Sequence, residues 1–450
     1  MGSGYLHLIF NLVDLLKRFF GLLPARFVTI VFSTSAGFIF NSHFLTADIP
    51  LLFWMLLAFY FAQTICFSGK TINYIGAGFF TGIATATKYN GLAVGISIVV
   101  AHSLVSSPIN WKKLIFSKNL VIGLAMVPVG FLAGNPFALL DYHNFISDFL
   151  YNYMVTPLYD GNASTNRSYG KFFWHFSEII GFPALVICGI ACLLAIYFTF
   201  SSQSQEQRLN KQGLLLLLSV FLLYYYKFGA FPRLEVRFVL PIIPFVLMVT
   251  GPFWQKVKWH SLPLIIVLFI VVTYNVVSSF YVGKHFAEAP RMAAQVWVKQ
   301  NIPQDSSIES QYYTPNWNLL EGVKLANVKM PVISGRKKTF EKTLKLDAWL
   351  ESEMKEREQE DSAALQWYSL EALNQRHPDF IALNSIQYNR FLSGRLAATY
   401  PMIAKYFQEL IAEKYSYKIV FDQKSEPVPK LLYSQKLDFV DNRIIVLKRA

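Results

Sequence analysis

The sequence predicts an α-helical polytopic membrane protein of about ten membrane helices, followed by a small C-terminal α/β domain. Three observations carry this. Of the 450 residues, 54% are hydrophobic and only 15% charged, against about 25% charged in an average globular chain. Long apolar runs recur through the first 282 residues, separated by short basic loops. After Gly283 the character changes and charges return. The first part, 1–282, holds 17 Lys and Arg against 8 Asp and Glu, and 283–450 holds 24 against 20. Most of the basic excess therefore belongs to the apolar part, so the membrane is the partner and nucleic acid is not. Cys66, Cys188 and Cys192 all lie in apolar runs, which excludes a disulfide framework.

The apolar runs cover 5–23, 27–42, 49–67, 74–87, 89–106, 119–134, 178–200, 213–229, 237–253 and 261–282. At about 1.5 Å per residue, Ile49 to Phe67 spans about 28 Å, close to a hydrocarbon core of about 30 Å. Several others are shorter and need kinks or sheltering neighbours. The run 5–23 is interrupted by Asp14, Lys17 and Arg18 and reads as an amphipathic or bundle-lining helix. Alternate connections carry the basic residues: Lys17, Arg18 and Arg26; Lys70; Lys112, Lys113 and Lys118; Arg208 and Lys211; Lys256 and Lys258. These are expected on the cytoplasmic side. The loops holding His43–Asp48, Lys88–Asn90, 135–176 and Ala230–Val236 then face outside, together with the tail. The 135–176 segment is too long for a bare connection and should carry helices lying on the membrane surface. In the tail, Arg291–Gln300 and Thr339–Asp361 look helical, while Tyr417–Asp422 and Arg443–Lys448 alternate like strands.

Ionisable groups at the mouth of a membrane bundle cost several kcal/mol unless paired or wetted, so each marks a candidate site. Asp48, just before Pro50, is either an N-cap or, with His43, a divalent-metal ligand or polar anchor. Gly78 and Gly82 have the spacing that lets helices approach closely. Lys88, beside Tyr89, has no acidic neighbour in sequence; it either snorkels to headgroups or binds a lipid phosphate. Arg233 and Arg237 flank Glu235, which cannot neutralise both, and Pro241 and Pro244 free carbonyls in the helix that Arg237 opens. Asp141 follows Asn135-Pro136 at the start of the long outer segment. Each of Asp141, Asp148 and Asp160 reads either as a surface charge on an interfacial helix or as part of a site, and Asp141 is favoured as a wall of the acceptor site.

In this order, Ser42-His43-x4-Asp48-Ile-Pro50, Gly78-x3-Gly82-x5-Lys88-Tyr89-Asn90-Gly91, Asn135-Pro136-x4-Asp141 and Arg237-Phe238-x2-Pro241-x2-Pro244 resemble the polytopic glycosyltransferases of family 39. That group includes protein O-mannosyltransferases and aminoarabinose transferases. Ala289–Pro303 is similar to the opening of their outer C-terminal domain. The resemblance implies a C-type glycosyltransferase fold that moves a sugar from a polyprenyl-phosphate donor to a lipid, glycan or protein acceptor. Transfer inverts the anomeric carbon, with a carboxylate taking the nucleophile's proton. It implies Asp48 and Asp141 as catalytic carboxylates, and Lys88, Tyr89, Arg233 and Arg237 at the donor phosphate. The implied location is the bacterial cytoplasmic membrane with the C-terminal domain periplasmic. Some C-type enzymes use a divalent metal, for which His43 and Asp48 are the candidates, and others use none. Members normally begin with another helix and a first outer loop whose acidic motif supplies the base. This chain starts at Met1-Gly-Ser-Gly-Tyr5 and runs directly into the counterpart of their second helix, so a truncated or base-less member is expected. A transporter or flippase of an amphiphilic anion and an inactive partner subunit are the alternatives. The halves lack the internal repeat that a carrier often shows.

Overall fold

The computed structural model describes residues 17–44, 46–105, 117–142, 144–146, 168–201, 205–231, 234–258, 261–332, 364–426 and 442–450, with Phe149, Pro429 and Leu432. They form two compact units, one built mainly from residues up to Val282 and the other from Gly283 onward.

The first unit is helical. It contains α1 (Leu22–Thr34), α2 (Ala36–Ser42), α3 (Asp48–Ser68), α4 (Thr71–Thr87), a 3-10 turn (Tyr89–Gly95), α5 (Ile96–Val105), α6 (Lys118–Gly134) and α7 (Phe137–Leu140). After these come α8 (Tyr169–Ile180), α9 (Phe182–Phe200), α10 (Gln205–Gly229), α11 (Val236–Val239), α12 (Ile243–Val249), α13 (Gly251–Lys256) and α14 (Leu262–Ala287). Each apolar run from residue 27 onward is helical. The expected count of ten spans is nevertheless not reached: five helices among the described residues are long and apolar enough to cross a membrane, six if the pair α1 and α2, bent by 57°, is one broken span. The shortfall has a physical cause. Tyr89–Val105 and Lys118–Gly134 are shorter apolar helices, and 17 residues reach only about 25 Å. Most of the run 5–23 lies outside the described residues, as do Thr339–Asp361, Asp148 and Asp160.

The Val236–Lys256 span is the most enclosed of the candidates. Pro241, Pro244 and Pro252 stand at the starts of its short segments, where a missing N–H is harmless, so it proceeds as α11, a 3-10 turn, α12 and α13. Beside it, α4 and α6 run unusually close. A Cβ built on Gly78 would lie 1.9 Å from the Gly123 carbonyl oxygen, and one on Gly82 2.2 Å from that of Val127. The small-residue spacing seen in the sequence is thus a packing device. It fixes the helix that ends at Lys88.

The second unit holds α15 (Pro290–Asn301), β1 (Ser307–Ser310), β2 (Ala326–Lys329), α16 (Leu370–Arg376), β3 (Phe380–Asn384), α17 (Ser385–Leu392), α18 (Gly394–Thr399), α19 (Pro401–Ile411), β4 (Tyr417–Lys424) and β5 (Arg443–Arg449). The five strands form one mixed sheet in the order β2-β1-β3-β5-β4, with β1 parallel to β2 and β3, and β5 antiparallel to β3 and β4. All five residues of β3 are buried, because both faces are covered. Ile381, Leu383, Ile445 and Leu447 share a cluster with Phe407 and Leu410 of α19, while Phe380, Ala382, Ile444 and Val446 share another with Ala294 and Val298 of α15. That is the period of two expected of strands.

Two exposed carboxylates clamp this sheet. Asp379 accepts the Ser307 amide (2.9 Å) and hydroxyl (2.8 Å), and Asp422 accepts two bonds from Arg443. The Ser307 amide lowers the Asp379 pKa, and the Arg443 guanidinium lowers that of Asp422. A carboxylate depressed in the folded state stabilises it above the unfolded value, near 3.9, and this contribution is lost as the pH falls through the folded value. Denaturant titrations of the full chain in detergent should therefore show the second unit weakening below about pH 4. Asp379→Asn with Asp422→Asn should flatten that acid limb; an unchanged limb would exclude these clamps as its source.

Candidate functional site

Asp48 occupies the first turn of α3, where a carboxylate favours the helix dipole. It is not the N-cap. That position is Ala47, and no side chain caps the helix. The carboxylate instead meets Lys88: Nζ donates to Oδ1 at 2.6 Å, with the Asp48 side chain 3% exposed and that of Lys88 25%. Lys88 has no acidic neighbour in sequence; its partner lies 40 positions away. Nor does the ammonium snorkel away from the fold.

The chain breaks at Lys88 for a local reason. Its backbone is extended (φ −161°, ψ 134°) between α4 and the 3-10 turn, and the Gly91 amide folds back onto the Lys88 carbonyl at 2.8 Å. A Cβ at Gly91 would lie 2.4 Å from the Ala84 carbonyl carbon, so only glycine permits this tight return. The break aims the ammonium across the bundle. It lies 4.9 Å from the centre of the Phe238 ring, and the Arg237 guanidinium lies 5.6 Å from the same centre.

Tyr224, which the sequence reading passed over, ties these segments together. Its fully buried hydroxyl donates to the Phe238 carbonyl at 2.6 Å and accepts from Asn90 Nδ2 at 3.3 Å. The one available signal was a run of three tyrosines, Tyr224 to Tyr226, inside an apolar helix. Such hydroxyls require partners when buried. Glu235 holds Arg237 through Nε at 2.6 Å. Among the described residues the two cations are thus matched by two carboxylates. Arg233, on which the expected excess of positive charge rested, lies outside them.

Matched charge does not exhaust the donors. Arg237 uses only Nε for Glu235, and its terminal amino groups make no hydrogen bond among the described residues; Lys88 spends one donor of three. Both side chains are partly exposed. Asp48 Oδ2 likewise has no hydrogen-bond partner among the described residues.

Asp141 is exposed and accepts from Asn144 Nδ2 at 3.0 Å. Tyr89 is exposed, its ring edge-on to Phe149 at 4.9 Å. The His43 Nδ1 lies 2.7 Å from the Ile39 carbonyl. His43 and Asp48 do not make a metal site by themselves: no group of three His, Cys, Asp or Glu among the described residues could hold a metal.

The Alg9-like mannosyltransferase family matches residues 2–314, more than two thirds of the chain. The chain belongs to that family. No curated protein matches it. The family consists of C-type polytopic membrane mannosyltransferases that use lipid-linked sugar donors. The Asp48, Lys88, Asn90, Tyr224 and Arg237 cluster lies wholly within the matched residues. The expected class, a multi-pass membrane glycosyltransferase, therefore stands, while family 39 in particular is not the family that matched.

Proposed function

We propose that this chain transfers a mannose from a polyprenyl-phosphate donor to an acceptor, with Lys88 and Arg237 binding the donor phosphate. The supporting observation is that two cations converge on Phe238 with unused N–H donors. Planar, bidentate guanidinium donors suit a phosphate, and a fixed ammonium supplies a second charge. The acceptor hydroxyl attacks C1 of the sugar while the C1–O bond to phosphate breaks, inverting the anomeric carbon. Polyprenyl phosphate leaves as the anion these cations hold, and the hydroxyl proton passes to Asp48 Oδ2. Asp141, exposed, its carboxylate accepting from Asn144, serves the acceptor wall. We place this site on the outer face, periplasmic in the cytoplasmic membrane of a bacterium and lumenal in the endoplasmic reticulum of a eukaryote.

Mannose transfer from polyprenyl-phosphate mannose by membranes containing the full chain tests this directly. Arg237→Ala should lower transfer by about tenfold to a hundredfold, the loss of one or two charged hydrogen bonds. Arg237→Lys should recover only part, because an ammonium cannot make the paired contact. Equal transfer by all three proteins would remove Arg237 from the phosphate.

A further inference from the structure

On α8 the His175 ring sits between two acceptors. Its Nδ1 is 2.5 Å from Glu178 Oε2, one turn farther along, and its Nε2 is 3.2 Å from the Leu234 carbonyl oxygen. Both side chains are largely enclosed, at 13% and 10% exposure. A carbonyl oxygen only accepts, so the Leu234 contact requires a hydrogen on Nε2.

Leu234 immediately precedes Glu235, and Arg237 follows two positions later. We infer that His175 is a positioning residue that tethers this segment through the Leu234 carbonyl and so holds the Arg237 guanidinium at the site. The inference rests on the role given to Arg237 above.

The test uses the full chain in detergent. Amide hydrogen exchange of peptides covering 234–242 reads the tether without any substrate. Protection should be lower in His175→Ala than in wild type, and His175→Gln, which keeps an N–H donor for the Leu234 carbonyl, should restore part of it. Mannose transfer by His175→Ala should fall about tenfold, as misplacement of a binding group predicts. Protection unchanged in His175→Ala would overturn the tether whatever the activity. Lost protection with undiminished transfer would support the tether and instead overturn the placing of Arg237 at the phosphate.

Discussion

Lys88→Ala is expected to abolish mannose transfer and also to destabilise the protein, and a second substitution separates the two effects. In the proposed role of Lys88, removing the ammonium takes away a donor to the phosphate, which for one electrostatic group in a sheltered site corresponds to about 10²–10³-fold in rate. It also strands the Asp48 carboxylate, 3% exposed, without its counter-charge. Breaking a buried pair by removing one partner costs about 3–5 kcal/mol, whereas removing both with apolar replacements of similar volume is often neutral. Asp48→Leu with Lys88→Met should therefore restore the thermal midpoint in detergent that Lys88→Ala lowers. It should restore no transfer. A double variant that regains both would make the pair a structural brace and nothing more. Asp48→Asn adds a third arm: it keeps the shape, leaves the half-sheltered ammonium unpaired, and should also lose transfer because the nucleophile's proton has no acceptor.

The residues of this site were partly legible because each sits at a break in apolar patterning. Lys88 interrupts a hydrophobic stretch, Asp48 precedes a proline at a helix start, and Arg237 opens a proline-bearing span. Their pairings were not legible. Nothing in a linear pattern says that Lys88 faces a carboxylate 40 residues earlier, or that a buried Tyr224 hydroxyl bridges Asn90 and Phe238. Those depend on which helices are neighbours, and helix neighbours in a bundle are chosen by packing. The helices themselves were readable from hydropathy alone; the number of crossings was not, because Tyr89–Val105 and Lys118–Gly134 are apolar yet short. The strand Tyr417–Lys424 alternates buried and more open residues, whereas Arg443–Arg449 and β3, buried on both faces, carry continuous apolar runs with no alternation to mark them.

That packing yields the other large effect. Gly130→Ala should lower the thermal midpoint of the detergent-solubilised protein more than any substitution of comparable size on a lipid-facing helix. Its Cβ would lie 2.0 Å from the Phe79 carbonyl oxygen, and the corresponding contact for Gly82 is 2.2 Å from Val127. These are backbone atoms, which cannot swing aside as a side-chain tip can. The helices α4 and α6 must separate along their whole contact, so the cost should exceed the roughly 1–3 kcal/mol of ordinary overpacking. Gly189 on α9 is the matched control. A Cβ there meets nothing within 4 Å, and alanine should be neutral or stabilising by up to about 1 kcal/mol. Gly82→Ala carries a functional consequence as well, since it lies six residues before Lys88 on the same helix. Displacing α4 moves the ammonium from Asp48 and Phe238, and a shift of about 1 Å at a reacting centre can cost about 10²-fold. Transfer per folded molecule should thus fall in Gly82→Ala while remaining at the wild-type level in Gly189→Ala. If Gly130→Ala and Gly82→Ala melt at the wild-type temperature, the two backbones are not in contact, and the position of Lys88 must be set by something other than this helix pair.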